Sequence, residues 1–322
     1  MEKRRWFSAL AAAAGIFILI MDSRTALAGA SQGLELCLKT IIPSLFPFLF
    51  LSGTFSHACG GGSRAARWLG KPFGIPANMT SILVPALLGG YPVGAQCVYE
   101  AYRTGAVDKF HAQRMLAYCS NVGPAFLFGI LPAAFPNRST LWLLWGIQLL
   151  SIWASSFVFY CPTVQFRTGE APHASFGMEQ AVWAMLKICG WVILFRVLIA
   201  FLCRWILWAV SSQIQIAVIG LLELSNGCCM LSQIPAEGTR FLICSVMLSF
   251  GGLCVAYQTA SVCPGLNLRG YLLGKTLQAV TSGILAAAVY FRLWSLLPLW
   301  LAALFGMRFA EKRGRNPLPV GV

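Results

Sequence analysis

The chain reads as an all-α polytopic membrane protein, with about eight transmembrane helices and two re-entrant, broken helical hairpins in two internal repeats. Three observations predict this. Hydrophobic residues make up 58% of the 322 residues and charged ones only 11%, against about 25% charged in a soluble domain; mean hydropathy is +0.72. The 24 Lys and Arg against 10 Asp and Glu sit at the ends of apolar runs, as the positive-inside rule expects, rather than on a basic patch that would read nucleic acid. Finally, one phrase occurs twice: Gly89-Gly90-Tyr91-Pro92-Val93-Gly94-Ala95-Gln96 and Gly251-Gly252-Leu253-Cys254-Val255-Ala256-Tyr257-Gln258 both read GG-x-x-V-x-x-Q.

The elements follow in order. Residues 1–38 hold a first span at 6–21 and an interfacial segment. Lys3-Arg4-Arg5 before it resemble a signal peptide, but the run is at or beyond the ~15-residue limit of such segments, so it reads as retained. The first repeat is 39–161: a span at 41–55 carrying Pro43 and Pro47, the first GG segment at 81–101, a polar helix, a run at 115–135 broken by Ser120-Asn121-Val122-Gly123-Pro124, and a clean span at 141–160. Residues 162–178 are a polar linker. The second repeat, 179–309, gives spans near 181–208 and 213–233, the second GG segment at 241–261, and spans near 270–291 and 293–309; a basic tail occupies 310–322. If both GG segments re-enter on one side, both termini are cytoplasmic and most cations fall there, Arg240 and Lys275 included. Arg24, Lys39, Arg138, Lys187, Arg196, Arg204 and Arg292 fall elsewhere. That count leaves the halves parallel, whereas many carriers use inverted repeats.

Glycine and proline beside glutamine suit a helix broken so that freed backbone lines a polar cavity. Gly89, Gly90, Pro92, Gly94, Gly251 and Gly252 would make the breaks, with Pro124 and Gly227 in secondary ones; close helix packing is the alternative. Gln96 and Gln258 would offer amides to a polar solute, or else bond helix to helix. Ser120 and Asn121, with Tyr91, would join them. Glu223, in Glu223-Leu224-Ser225-Asn226-Gly227, is an ionisable residue inside an apolar run and a functional candidate by default, Asn226 beside it, its charge balanced by Arg196 or Lys187. The 12 cysteines contain no C-x-x-C pair and the three histidines are dispersed; cysteine reads as an apolar filler and no metal or cofactor is expected. No H-E-x-x-H, Walker loop or G-x-S-x-G occurs, so no enzyme is expected.

Pro43-Ser44-Leu45-Phe46-Pro47-Phe48, Gly90-Tyr91-Pro92-Val93-Gly94-Ala95 and Ser120-Asn121-Val122-Gly123-Pro124-Ala125-Phe126 resemble the YlbJ family of sporulation integral membrane proteins, grouped with nucleoside-recognition or Gate-domain proteins. Leu222-Glu223-Leu224-Ser225-Asn226-Gly227 and Gly251-Gly252 look like Gate phrases too. The resemblance spans about residues 40–290. It implies a bacterial inner membrane protein of a spore former, not a substrate: the Gln-Thr-Glu run of nucleoside carriers has no counterpart at 91–96, and Gln258-Thr259-Ala260 lacks the acid. The expectation is a transporter-like protein binding or moving a small polar solute. The rival is a non-transporting scaffold for spore envelope assembly. The partners are the bilayer and that solute; a homo-oligomer is left open, and nucleic acid is excluded.

Overall fold

The computed structural model describes residues 2–58, 82, 86–159 and 178–313. Most of the linker and most of the basic tail therefore lie outside the described residues. Those described form fourteen α-helices and no strand. The first part runs α1 (Glu2–Met21), α2 (Ser23–Leu36), a π-turn at Cys37–Ile41, α3 (Ile42–Ala58), α4 (Val93–Arg103), α5 (Lys109–Cys119), α6 (Pro124–Ile130) and α7 (Arg138–Phe159). After the linker come α8 (Met178–Trp205), α9 (Ser212–Leu222), α10 (Leu224–Met230), α11 (Glu237–Phe250), α12 (Gly252–Val262), α13 (Arg269–Tyr290) and α14 (Leu296–Arg313).

Among the described residues, six helical stretches are long and apolar enough to cross a membrane: Ser23–Leu51, Lys109–Ala133, Arg138–Phe159, Ala181–Trp205, Glu237–Val262 and Arg269–Tyr290. The chain is a multi-pass integral membrane protein with fewer such spans than the eight expected. The segment 213–233 is one reason. Its two short helices, α9 and α10, fold back on each other instead of crossing. Gly220 and Gly227 face one another so closely that a Cβ on Gly227 would stand 2.3 Å from the Gly220 Cα. Gly227 is thus a close-packing residue within α10, not a break.

Local chemistry explains the boundaries. Asp22 and Asp108 cap α2 and α5, accepting the N–H of Thr25 at 3.3 Å and of His111 at 2.9 Å. Pro124 opens α6 in the first turn, where its missing N–H costs nothing. Gly251 and Gly252, at φ 84° and 87°, occupy the left-handed region that only glycine enters freely, so α11 stops and α12 restarts without leaving the span.

Contacts settle directions. Gly29 and Gly33 of α2 lie against Ala200 and Ile193 of α8, so these two run antiparallel. Arg114 Nε donates to the Phe159 carbonyl at 3.0 Å and Ser155 Oγ to the Ala117 carbonyl at 3.0 Å, making α5 antiparallel to α7. Gly238 meets Tyr290 and the Ser282 hydroxyl donates to the Ser245 carbonyl, making α11 antiparallel to α13. Gly270 and Gly274 meet Gln113 and Ala117 in step, so α13 runs parallel to α5. It follows that α7 and α13 oppose each other. Each is the unbroken 22-residue helix after a hairpin and a broken span. The two halves therefore run in opposite directions, not in parallel as the charge count suggested.

Candidate solute-binding site

Where α5, α7, α11 and α13 cross, the apolar interior gives way to a polar layer. Ser120, Asn121, Ser151, Ser155, Ser249, Lys275 and Gln278 are all fully buried there. Glycine lets the helices approach: a Cβ on Gly274 would stand 2.2 Å from the Ala117 carbonyl oxygen. The buried Ala117 carbonyl accepts from Ser155 Oγ at 3.0 Å and Gln278 Nε2 at 2.9 Å. Ser249 Oγ donates to Gln148 Oε1 at 2.8 Å. A polar group left unpaired in hydrocarbon would cost several kcal/mol, so such pairing holds the crossing together.

Two hairpin tips reach this layer from opposite sides. The first hairpin has its tip at Gly89–Pro92. Residues 86–88 fold back on α4, and a Cβ on Gly94 would stand 2.9 Å from the Ala86 Cα and 1.7 Å from the Cys119 carbonyl oxygen. The chain turns at Gly90, φ 73°, and a cis Tyr91–Pro92 bond. This hairpin opens on the side of residues 104–108, here the near side. The second hairpin, α9–α10, has its tip at Glu223 and opens on the far side.

Each tip abuts a helix break. Gly123, in the break between α5 and α6, would place a Cβ 2.9 Å from the Gly90 N; Gly252 would place one 3.2 Å from the Gly220 carbonyl oxygen. The first GG phrase thus forms a hairpin tip, as expected. The second does not: it breaks the span Glu237–Val262. The second hairpin turns at Glu223, where the returning helix α10 can be capped by a side chain, as α4 is not at Pro92. Glu223 supplies that cap. Its carboxylate accepts from Ser225 N at 3.1 Å, Asn226 N at 2.7 Å and Asn226 Nδ2 at 2.6 Å. Neither expected counter-cation reaches it. Arg196 donates to Gln32 Oε1, and Lys187 stands exposed at a cavity rim.

That cavity, about 260 Å³, lies between the first hairpin, α8 and α12. Its walls include Pro92, Gln96, Trp183, Gln258 and Ser261, with Glu179 and Lys187 at the rim. A second space of about 30 Å³ adjoins it through Gln258 and is bordered by Gly90, Tyr91, Glu223 and Ser225. That is room for about one water. Of the sequence-derived residues, Gln96 and Gln258 come together at the larger cavity, and Tyr91, Glu223 and Gln258 at the smaller. Ser120, Asn121 and Asn226 line neither; they are buried behind, where Asn121 and Asn226 brace other polar groups.

Sequence reasoning missed Lys275. Placed among cytoplasmic cations, it is instead wholly buried, donating to Gln278 Oε1 at 2.8 Å, Asn121 Oδ1 at 2.9 Å and Tyr91 Oη at 3.1 Å. The available signal was Gly274-Lys275 with Gln278 one turn on: a small residue, a cation and its amide acceptor on one helix face.

No family model matches the chain. No solved structure matches it. Among curated proteins, the chain is similar to the sporulation integral membrane protein YlbJ of Bacillus subtilis (strain 168), with 21% identity over 340 residues, covering 88% of this chain and 81% of that protein. The motif resemblance to YlbJ is thus matched by a likeness along most of the chain. The Gate grouping has no family model behind it.

Proposed function

We propose that the protein is a membrane carrier that binds a small polar solute in the cavity between the first hairpin, α8 and α12, and that it acts in sporulation in a bacterial cell membrane. One observation supports this above the rest: Gln96 and Gln258, far apart in sequence, wall the same cavity of about 260 Å³. A pocket with a few convergent polar groups on apolar walls is the ordinary form of a small-molecule site. A cavity beside the first hairpin, with a second hairpin turning in from the far side, suits access from one side at a time. The sporulation role rests on the name of the relative. The Gate grouping implied by the first-half motifs agrees with a solute site but supplies no substrate.

The test uses purified protein in liposomes and a panel of labelled nucleosides, amino acids and sugars. Gln96→Ala and Gln258→Ala should each lower uptake of the responding solute about tenfold, the scale of one or two lost hydrogen bonds, with membrane insertion unchanged. No uptake of any probe by the parent, together with complete protection of Gln96→Cys and Gln258→Cys from an impermeant thiol reagent, would favour a non-transporting scaffold.

A further inference from the structure

We propose that Tyr91 Oη, Asn121 Oδ1 and Gln278 Oε1 form a monovalent-cation site that the chain fills with its own Lys275 ammonium, and that this tethered cation latches the first hairpin shut. The three oxygens stand 3.1, 2.9 and 2.8 Å from Nζ. An ammonium has three donors and no acceptor, so three oxygens satisfy it completely. All three are uncharged, and Nζ also lies 5.0 Å from the centre of the Tyr91 ring, a further attraction for a cation. No carboxylate pairs with it: Lys275 forms no ion pair among the described residues, and Glu223 spends its oxygens on its own tip.

The ligands come from three separate elements. Gln278 belongs to α13 itself, Asn121 to the break between α5 and α6, and Tyr91 to the hairpin tip. The first two belong to parallel helices packed along their length; the Tyr91 bond ties the hairpin to them. A buried amine is costly unless its N–H groups are bonded, so Lys275 keeps Tyr91 in place through the bond that Nζ donates to it. An oxygen cage that closes on a cation is a common way for a protein to let an ion govern a loop. Here the ion is covalently attached, so closing this hairpin needs no cation from solution.

The experiment is hydrogen–deuterium exchange on the full chain in lipid nanodiscs, comparing residues 86–103 with 224–233. Lys275→Ala should speed exchange in 86–103 about tenfold or more, the scale of a lost charge-assisted hydrogen bond, and leave 224–233 unchanged. Propylammonium, which replaces the missing carbons and nitrogen, should restore protection. Tetramethylammonium, charged but without N–H donors, should not. Tyr91→Phe removes the tie, along with a long bond from Tyr91 Oη to the Leu248 carbonyl at 3.5 Å; it should loosen 86–103 alone and carries the test if Lys275→Ala does not fold. Parent-like protection in both variants would overturn the proposal. So would equal loosening of both hairpins, or equal action of the two ammonium ions. The readout is independent of solute uptake, so a failed latch and a failed carrier are told apart.

Discussion

Glu223 holds its own helix rather than a cation. A carboxylate in an apolar run was legible as costly, and cost alone made it a functional candidate. What sequence could not supply was the direction of its bonds. It was paired by type with Arg196 or Lys187, but it sits one residue before a helix start, where backbone N–H groups are unserved. Those N–H groups are nearer and better aimed than any side-chain cation. Lys275 shows the converse error. It stands only six residues inside α13, and a cation there reads as interfacial. Close approach of α5 at Gly274 puts that level in the interior. Glu223→Gln tests the capping role. The amide keeps one acceptor oxygen and turns an NH₂ toward either Ser225 N or the two Asn226 donors, which now point at separate oxygens. The second hairpin should lose about 1.5–3 kcal/mol, the range for a hydrogen bond to a charged group. Exchange in 224–233 should quicken while 86–103 holds. Unchanged protection of 224–233 would mean that packing at Gly220 and Gly227, not the carboxylate, sets that tip.

At the level of elements, the repeated GG-x-x-V-x-x-Q phrase identified two real breaks but implied a false equivalence. The same letters serve different geometry because glycine supplies both positive φ and space. In the first phrase Gly90 turns the chain and Gly94 admits the neighbouring backbone; in the second, Gly251 and Gly252 both take left-handed angles within one crossing. Residues 213–233 failed as a span for a related reason. Their hydropathy is that of a crossing helix, and only the facing Gly220–Gly227 pair reveals that the segment folds back. Gly94→Ala tests how tightly the first hairpin is packed. Its Cβ would overlap the Cys119 carbonyl oxygen at 1.7 Å, and backbone cannot swing aside as a side chain can. A loss of about 3 kcal/mol is expected, at the upper end for overpacking, seen as a lower thermal midpoint in detergent. Gly146→Ala on α7 meets nothing within 4 Å and should be neutral or slightly stabilising, since alanine favours helix by up to about 1 kcal/mol. Equal midpoints for the two variants would show that the first hairpin is loose rather than wedged.

For the whole molecule, composition was enough for an all-helical membrane fold, because burying so many apolar side chains leaves few other solutions. Topology was not legible, because it depends on counting crossings and one misplaced hairpin reverses everything after it. Moving the second hairpin from 241–261 to Glu223 turns α11 over. Arg240 then lies on the far side, its guanidinium 5.3 Å from the Phe135 ring in the 134–137 connection, not among the cytoplasmic cations. Arg103, Lys109, Arg114, Arg269, Arg308, Lys312 and Arg313 cluster at near-side helix ends. The connections 59–81 and 160–177, outside the described residues, join near-side ends and carry Arg64, Arg67, Lys71 and Arg167 in sequence. By the positive-inside rule we expect the near side to be the cytoplasmic one. Single cysteines in a cysteine-free parent separate the two layouts. Gly105→Cys should react with an impermeant maleimide only from the cytoplasm under either layout, which fixes the orientation. Ala236→Cys is the discriminating position: opposed hairpins place it outside, two GG hairpins place it inside. Labelling of Ala236→Cys from the cytoplasm would return α11 to its sequence-derived direction. The two halves could not then oppose each other, and carrier action through two facing hairpins would fall with them.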